Sequence, residues 1–414
     1  MTDLHDDVEV PSFFLCPILL EIMKDPVTLS TGITYDRDSI EKWLFVHKKG
    51  VCPVTKQVVD DIELTPNHTL RRLIQSWCAL NPSSGVQNFP TPRIPITKTE
   101  IIKLLNDSKL PHMQTNSLKR LKTVVLENEM NKRLMESVGA VDQLASIVNN
   151  MKNSITSSSP PRDTTPADEA LSILYHLNLS PTGLKSLSLN TGDFMEMLTN
   201  KMQRGASRET RTYAVMLTKS ILEVTDQPMQ LTLLNPNFFL QLIQILMDQI
   251  SKKGTKATLK ILINVCGWGR NRIKAAEAGV VPVLIETLLN STKRRVSEMI
   301  LVLLDQICEC AEGRAELLNH AGGLAVVSKK IFRVSSVASE KAVRILHSVA
   351  KFSGNQSVLQ EMLQVGVVGK LCLVVQVECG KKMKGHATEV LKMHSRVWKS
   401  SSCIPYNLIS SYPC

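Results

Sequence analysis

From about residue 98 onward, apolar residues recur at three- and four-residue intervals, and strand-like alternation is almost absent. Val141/Leu144/Ile147/Val148, Val281/Leu284/Leu288 and Val368/Leu371/Val374/Val375 are three runs with the same phase. Each begins beside a short mark: Val138-Gly139-Ala140-Val141, Ala278-Gly279-Val280-Val281 and Val365-Gly366-Val367-Val368. A fourth mark is Ala321-Gly322, and Gly279, Gly322 and Gly366 lie 43 and 44 residues apart. Upstream of these stand Asn131-Lys132-Arg133, Asn271-Arg272-Ile273, Gly313-Arg314-Ala315 and Asn355-Gln356-Ser357, with weaker copies at Gly192 and near Asn237. Such a period, with a glycine before a long amphipathic helix, predicts a helical solenoid. The glycine closes one helix and lets the next leave at an angle. One repeat cannot bury its own apolar face, so neighbours must stack.

The pattern before residue 82 is different. Phe13 to Pro26 reads as an irregular loop broken by Pro17 and Pro26. Val27–Leu29 and Ile33–Tyr35 flank Ser30-Thr31-Gly32, which predicts a hairpin. Asp36 stands where it would cap a helix through Ile40, Trp43, Leu44 and His47, which Gly50 stops. A second loop, Val51 to Thr55, mirrors the first. Asn67 caps a closing helix with Leu70, Leu73, Ile74 and Trp77 on one face. The expected organisation is a small module over 8–82, a Pro/Ser linker over 83–97, helical repeats over 98–399 and a loose tail over 400–414. A Ser/Thr/Pro-rich insertion, about 152–167, interrupts the repeats as a disordered loop.

Composition narrows the chemistry. Of 414 residues, 43% are hydrophobic, 21% charged and only 4% aromatic, which suits cores of Leu, Ile, Val and Met packed between helices. The length exceeds one ordinary core. The formal charge of +11 is spread along the chain without the aromatic-interleaved basic motifs of nucleic-acid modules, so no nucleic acid is expected as partner. The start is acidic and no run of eighteen apolar residues occurs, so neither a leader nor a membrane span is expected. Ten scattered cysteines show no disulfide spacing, which predicts a reducing compartment, the cytoplasm or the nucleus. Cys16, Cys52, Cys78, His5, His47 and His68 include no pair at zinc-ligand spacing, so no metal and no cofactor are expected. No motif for a serine, metal or nucleotide enzyme is present, and no cysteine stands out as a nucleophile. Any catalysis must work by bringing other molecules together.

Five stretches carry a resemblance. Phe14-Leu15-Cys16-Pro17-Ile18 continues through Leu20-Glu21 and Lys24-Asp25-Pro26-Val27. Thr31-Gly32, Thr34-Tyr35-Asp36-Arg37 and Ile40-Glu41-Lys42-Trp43 follow, then Cys52-Pro53-Val54-Thr55 and Pro66-Asn67 through Leu70-Arg71 to Trp77. Together they closely resemble the U-box. A U-box followed by armadillo repeats is similar to the plant U-box ubiquitin ligases, in particular the short-N-terminus group tied to stress and defence. The fold class expected is mostly α: a small α+β U-box, a RING-like module without zinc, followed by an armadillo-type right-handed α-solenoid.

The resemblance implies function and sites. Hydrogen bonds and ion pairs replace zinc, and the implied staples are Glu21, Asp25, Asp36, Arg37 and Asn67. A ubiquitin-conjugating enzyme carrying ubiquitin would dock on Ile18, Leu20, Trp43 and Pro53. Lys56 follows the Pro-x-Thr of loop two, where the family uses a linchpin residue that bonds both enzyme and ubiquitin. Arg is frequent there, and Lys lacks its planar fork. Leu19 also departs from the Ser or Thr common at its position. The implied reaction is ubiquitin transfer to a lysine of a protein substrate held in the armadillo groove, with no covalent nucleophile on this chain. Candidate basic groups for acidic substrate segments are Arg270/Arg272/Lys274, Lys293/Arg294/Arg295 and Lys381/Lys382/Lys384, although solvated helix ends are the favoured explanation of them. U-boxes of the family pair, which leaves a homodimer open. A second reading is a non-catalytic armadillo adaptor with an inactive head.

Overall fold

The computed structural model describes residues 10–46, 50–59, 63–81, 96–149, 165–189, 191–204, 206–224 and 234–399. Most of the expected linker and insertion, and the whole expected tail, lie outside the described residues. The chain divides into two compact units, Met1–Gln143 with His176–Asn178, and Leu144–Tyr175 with Leu179–Cys414.

The first unit begins with the expected hairpin. Strand β1 (Pro26–Thr28) pairs antiparallel with β2 (Thr34–Asp36), Val27 facing Tyr35. Gly32 turns between them at φ +79°, a left-handed conformation that favours glycine. A third strand, β3 (Thr65–Pro66), adds to the other side of β1. The sequence gives no sign of it, because a two-residue strand ending in proline reads as a breaker. Helix α1 (Arg37–Glu41) runs into a wider turn, Lys42–Val46, and α2 (His68–Leu80) closes the module.

Cys16, Met23, Val27, Tyr35, Ile40, Cys52 and Ile74 form its buried core. Asn67 caps α2 as expected, its side chain accepting from the Leu70 N–H at 3.0 Å. Two local expectations differ. Asp36 stands at the start of α1 but makes no capping bond with its side chain, which is engaged elsewhere. Leu73 is 52% exposed and does not share the buried face of Ile74.

The same unit continues with α3 (Lys98–Asp107), α4 (Gln114–Glu127) and α5 (Glu129–Ser137). A capping box starts α3: the Thr97 hydroxyl accepts from the Glu100 N–H, and the Glu100 carboxylate accepts from the Thr97 N–H at 3.0 Å.

In the second unit the longest helices lie side by side in succession: Arg208–Val224, Lys252–Val265, Arg294–Ile307, Ser336–Ser353 and Lys381–Met393. From Lys252–Val265 onward, two shorter helices stand between consecutive members, such as Gly269–Glu277 and Val280–Asn290. Leu284, Leu288, Leu303 and Leu304 have no exposure, so the repeat interior is apolar. Burial of each such side chain contributes roughly 2 kcal/mol.

The recurrent residues have local physical roles. Gly139, Gly279 and Gly366 turn the chain at φ +76°, +83° and +73°. Asn131 and Asn271 are buried, and each donates its amide back to the end of the preceding long helix, to the Val124 and Val265 carbonyls at 3.0 and 3.1 Å. Carbonyls at a helix C-terminus lack intrahelical partners, and the Val265 carbonyl also accepts from the Trp268 N–H at 3.3 Å. Gly313 occupies this place in the next repeat, where a Cβ would lie 2.2 Å from the Ile307 carbonyl oxygen. There Arg314 supplies the donor, reaching the Cys308 carbonyl at 2.9 Å. Gly322 lacks the left-handed φ of its counterparts. Asn355 does a different job: its side chain caps Gln356–Gln364 by accepting from the Val358 N–H at 2.9 Å.

Among the described residues no single helix is long and apolar enough to cross a membrane, and no group of three His, Cys, Asp or Glu is placed to hold a metal ion.

Candidate functional site

Two short loops of the N-terminal module have the same backbone plan. In Cys16-Pro17-Ile18-Leu19-Leu20 the Cys16 N–H donates to the Glu21 carbonyl at 2.8 Å, and the Leu20 N–H donates to the Cys16 carbonyl at 2.8 Å. In Cys52-Pro53-Val54-Thr55-Lys56 the Cys52 N–H donates to the Gln57 carbonyl at 2.8 Å, and the Lys56 N–H donates to the Cys52 carbonyl at 3.0 Å. Bridges Leu15–Ile22 and Val51–Val58 close each loop. Leu20 and Lys56, at matching positions, both adopt φ +59°. That conformation costs a non-glycine residue roughly 1–2 kcal/mol. Strain of this kind is held only where surroundings impose it, and it gathers at working sites.

Polar bonds do the holding. The Asp36 carboxylate accepts from the Lys24 and Asp25 N–H groups at 2.8 and 3.0 Å, fastening the end of loop one to β2. Asp25 accepts from Arg37 Nε at 2.6 Å and from Arg71 at 3.1 Å. Asn67 adds its cap on α2 and a longer 3.5 Å bond to the Thr28 hydroxyl. The structure thus brings Asp25, Asp36, Arg37 and Asn67 together. Glu21 stands apart: it is exposed, and among the described residues only its backbone carbonyl serves the loop.

Several members of this framework were not singled out from sequence. Arg71 is 8% exposed and reads in sequence as one of two adjacent surface arginines. The Cys16 thiol accepts from the Asp36 N–H at 3.3 Å. The Cys52 thiol lies 3.0 Å from the Tyr35 hydroxyl and accepts from the Thr31 hydroxyl at 3.4 Å. Burial pushes the Cys52 thiol up, but hydrogen bonds from Thr31, Thr55 and Tyr35 outweigh it and bring it down to about 6. Burial, reinforced by the bond to Cys52, pushes the Tyr35 phenol well above its ordinary value. The signal available in sequence was the repeated Cys-Pro opening of the two loops.

The predicted contact residues converge on the two loops and the helix beside them. Leu20 is 74% exposed, Leu19 55% and Val54 52%, an unusual gathering of bare aliphatic side chains. Ile18 and Pro53 are half-buried, more sheltered than residues on loops were expected to be, and Ile18 packs partly on the core. Trp43 is also half-buried, and its Nε1–H donates to the Val51 carbonyl at 2.9 Å, tying the helix to loop two. Lys56 folds back: its Nζ donates to the Pro53 carbonyl at 2.7 Å and lies 5.9 Å from the Trp43 ring centre. The surface has apolar anchors and one cation. It is suited to gripping another protein rather than to bond-making of its own.

In the second unit, a cavity of about 400 Å3 opens on the successive long helices, lined by Lys219, Lys260, Asn264, Arg295 and Met299. The basic groups divide into two kinds. Arg272 pairs with Glu309, Lys274 donates to the Leu234 carbonyl at 2.7 Å, and Arg295 pairs with Glu298 at 3.1 Å. These serve the fold. Lys293, Arg294, Lys381 and Lys382 are exposed at helix starts.

Comparison with known proteins agrees with both halves. The family described as the U-box domain matches residues 10–83, and the plant U-box protein ARM repeat region matches residues 99–414. The E3 ubiquitin-protein ligase PUB23 of Arabidopsis thaliana is 56% identical over 99% of this chain and 99% of its own. PUB22 of the same organism, also an E3 ubiquitin-protein ligase, is 53% identical over 99% of this chain and 100% of its own. A solved chain described with a phosphorylation switch between cadherin and beta-catenin is similar in fold alone. It is 14% identical, with a TM-score of 0.57 over 80% of this chain and 58% of that one. Matched along its length by both family descriptions and by these relatives, the chain belongs to the plant U-box family of armadillo-repeat E3 ubiquitin ligases.

Proposed function

We propose that the two matched loops recruit a ubiquitin-conjugating enzyme and hold its charged ubiquitin ready for attack by a substrate lysine. The observation that carries this reading is the exposed aliphatic set Leu19, Leu20 and Val54 on two rigid loops beside Trp43 and Ile18. Ile18, Leu20, Trp43 and Pro53 act as anchors, and central apolar anchors of an interface typically cost roughly 2 kcal/mol or more when removed. Lys56 is the linchpin in this reading. It must leave the Pro53 carbonyl to reach the enzyme or ubiquitin, which makes it weaker than the forked Arg common at its position. The thioester stays on the conjugating enzyme's own cysteine. The U-box contributes by restricting the donor's freedom, an entropic form of catalysis.

The armadillo repeats hold the protein substrate, with Lys293, Arg294, Lys381 and Lys382 as the basic groups left for acidic segments. The ligase acts in the cytoplasm or nucleus, a reading supported by eight free cysteines among the described residues. A role in protein turnover during plant stress or defence follows from the subgroup it resembles.

The test is ubiquitination by the full-length protein with activating enzyme, a broad-specificity conjugating enzyme, ubiquitin and ATP, with and without Ile18→Arg. High-mass conjugates from the wild type, lost in a folded Ile18→Arg variant, are expected. No conjugates across a panel of conjugating enzymes would favour the adaptor reading.

A further inference from the structure

One buried acid of the U-box has no part in the recruiting surface. Glu41 ends α1 and is only 3% exposed. Its Oε2 accepts from the backbone N–H of Glu129 at 3.2 Å. Glu129 is the first residue of α5, the helix that opens the repeat mark at Asn131. The first N–H groups of a helix have no partner within it, and the helix dipole makes that end favourable for a carboxylate. The N-cap of α5 is Asn128, whose side chain accepts from the Asn131 N–H at 2.7 Å. Glu41 therefore supplies a second cap from another part of the chain, 88 residues away in sequence.

Three further features lie at the same place. The Arg133 guanidinium stacks over the Phe45 ring at 3.9 Å. Met130 packs against the U-box core. A cavity of about 880 Å3 is lined by Arg37, Phe45 and Arg71 of the U-box and by Asn128, Met130 and Arg133 of the repeat region. Burial pushes the Glu41 carboxyl up to about 7, which the Glu129 N–H and Arg37 offset only in part; its second oxygen has no hydrogen-bond partner, and Arg37 lies 3.8 Å from it. A carboxylate held at that disadvantage is retained by the contact it makes.

We propose that Glu41 clamps the U-box onto the first repeat by capping α5, so that the U-box transfers ubiquitin from a set position instead of swinging on a tether. Glu41 is a positioning residue: it touches neither the conjugating enzyme nor the reacting lysine. The consequence for transfer rests on the recruiting surface proposed above, but the contact itself does not.

The test uses the full-length protein and the variants Glu41→Ala, Glu41→Gln, Arg133→Ala and Ile18→Arg. Hydrogen exchange is read at the amides of 128–133 and, separately, at those of the U-box core. The clamp predicts exchange at 128–133 at least about tenfold faster in Glu41→Ala, with U-box core protection kept. Glu41→Gln keeps an acceptor oxygen and should retain the protection. Arg133 is exposed, so Arg133→Ala leaves the folds intact and should loosen the same segment to a smaller degree. Ile18→Arg should leave it unchanged, which separates the clamp from the recruiting surface. In function, discharge of charged conjugating enzyme to free lysine should stay at the wild-type rate in Glu41→Ala. The set of self-modified lysines in the repeats, mapped by mass spectrometry, should broaden. Wild-type exchange at 128–133 in both Glu41→Ala and Arg133→Ala, or an unchanged lysine set, would overturn the proposal.

Discussion

The U-box and the repeats solve the problem of rigidity with opposite means. The U-box is small, and its two loops rest on a few polar bonds: Asp25 between Arg37 and Arg71, Asp36 on two backbone N–H groups, and buried thiols against Tyr35 and Asp36. Remove one member and a buried partner is left unsatisfied. The repeats rest on stacked apolar helices such as Lys252–Val265 and Arg294–Ile307, with left-handed glycines at the turns and buried asparagines near helix starts. Their stability is closer to a sum of similar local terms. The lesson is that the working surface is built on the region with fewer, more specific supports. Two non-glycine residues, Leu20 and Lys56, are held there in a costly conformation, as Gln249 and Phe332 are in the repeats.

That comparison can be broken at several points. The largest expected effect is on activity. Trp43→Ala should lower ubiquitination about a hundredfold or more, since it removes both an anchor and the bond to Val51. Normal activity in a folded Trp43→Ala protein would show that the anchor is misplaced. Next, Leu303→Ala should destabilise the repeats by about 3 kcal/mol through the cavity it leaves. Hydrogen exchange of the U-box core amides, such as those of Val27 and Ile40, should not change.

Asp25→Ala should do the reverse. It removes an ion-pair partner from both Arg71 and Arg37, destabilising the U-box by about 2 kcal/mol, a figure held down because Asp25 is 39% exposed. Equal loss in both regions from either substitution would refute their separate means of support.

Smaller effects sharpen the contrast. The groups facing Glu41 are Arg37 and Asp38 from α1 and Glu129 from α5, with Arg133 stacked nearby on Phe45. The folded value of about 7 exceeds the ordinary 4.5, so the folded state binds the proton more tightly. Stability from this group is complete at pH below about 4.5, falls as pH rises to about 7, and stays low above it. Glu41→Gln should therefore raise the unfolding free energy of the first unit at pH 8 by about 1–2 kcal/mol and change it little near pH 4.5. Gly279→Ala should cost the repeats about 1 kcal/mol at any pH, because only the φ of +83° opposes the added methyl and no neighbour does.

Local pattern revealed what local physics determines. The hairpin around Gly32, the cap at Asn67 and the glycine turns of the repeats were legible because each is set by a few adjacent residues. Asp25, Asp36 and Arg37 came through resemblance, and the structure supplies their partners. Arg71 was not legible as a staple, since its partner Asp25 lies 46 residues away. Glu41 lay hidden for the same reason. Asp36 shows the limit of a local rule: it stands at a cap position, yet two backbone donors of loop one claim its carboxylate. Lys56 could be marked as a weak linchpin, but its return to the Pro53 carbonyl needed coordinates.

The central claim is that the two loops form one recruiting surface. The direct measurement is the rate at which charged conjugating enzyme discharges ubiquitin to free lysine in the presence of full-length protein. Leu20→Arg in loop one and Val54→Arg in loop two are compared with the wild type, since both side chains are exposed and their loss should leave the fold intact. The account predicts at least about a tenfold loss of stimulation from either substitution, equivalent to roughly 1.4 kcal/mol of contact energy. Full stimulation by both folded variants would contradict it.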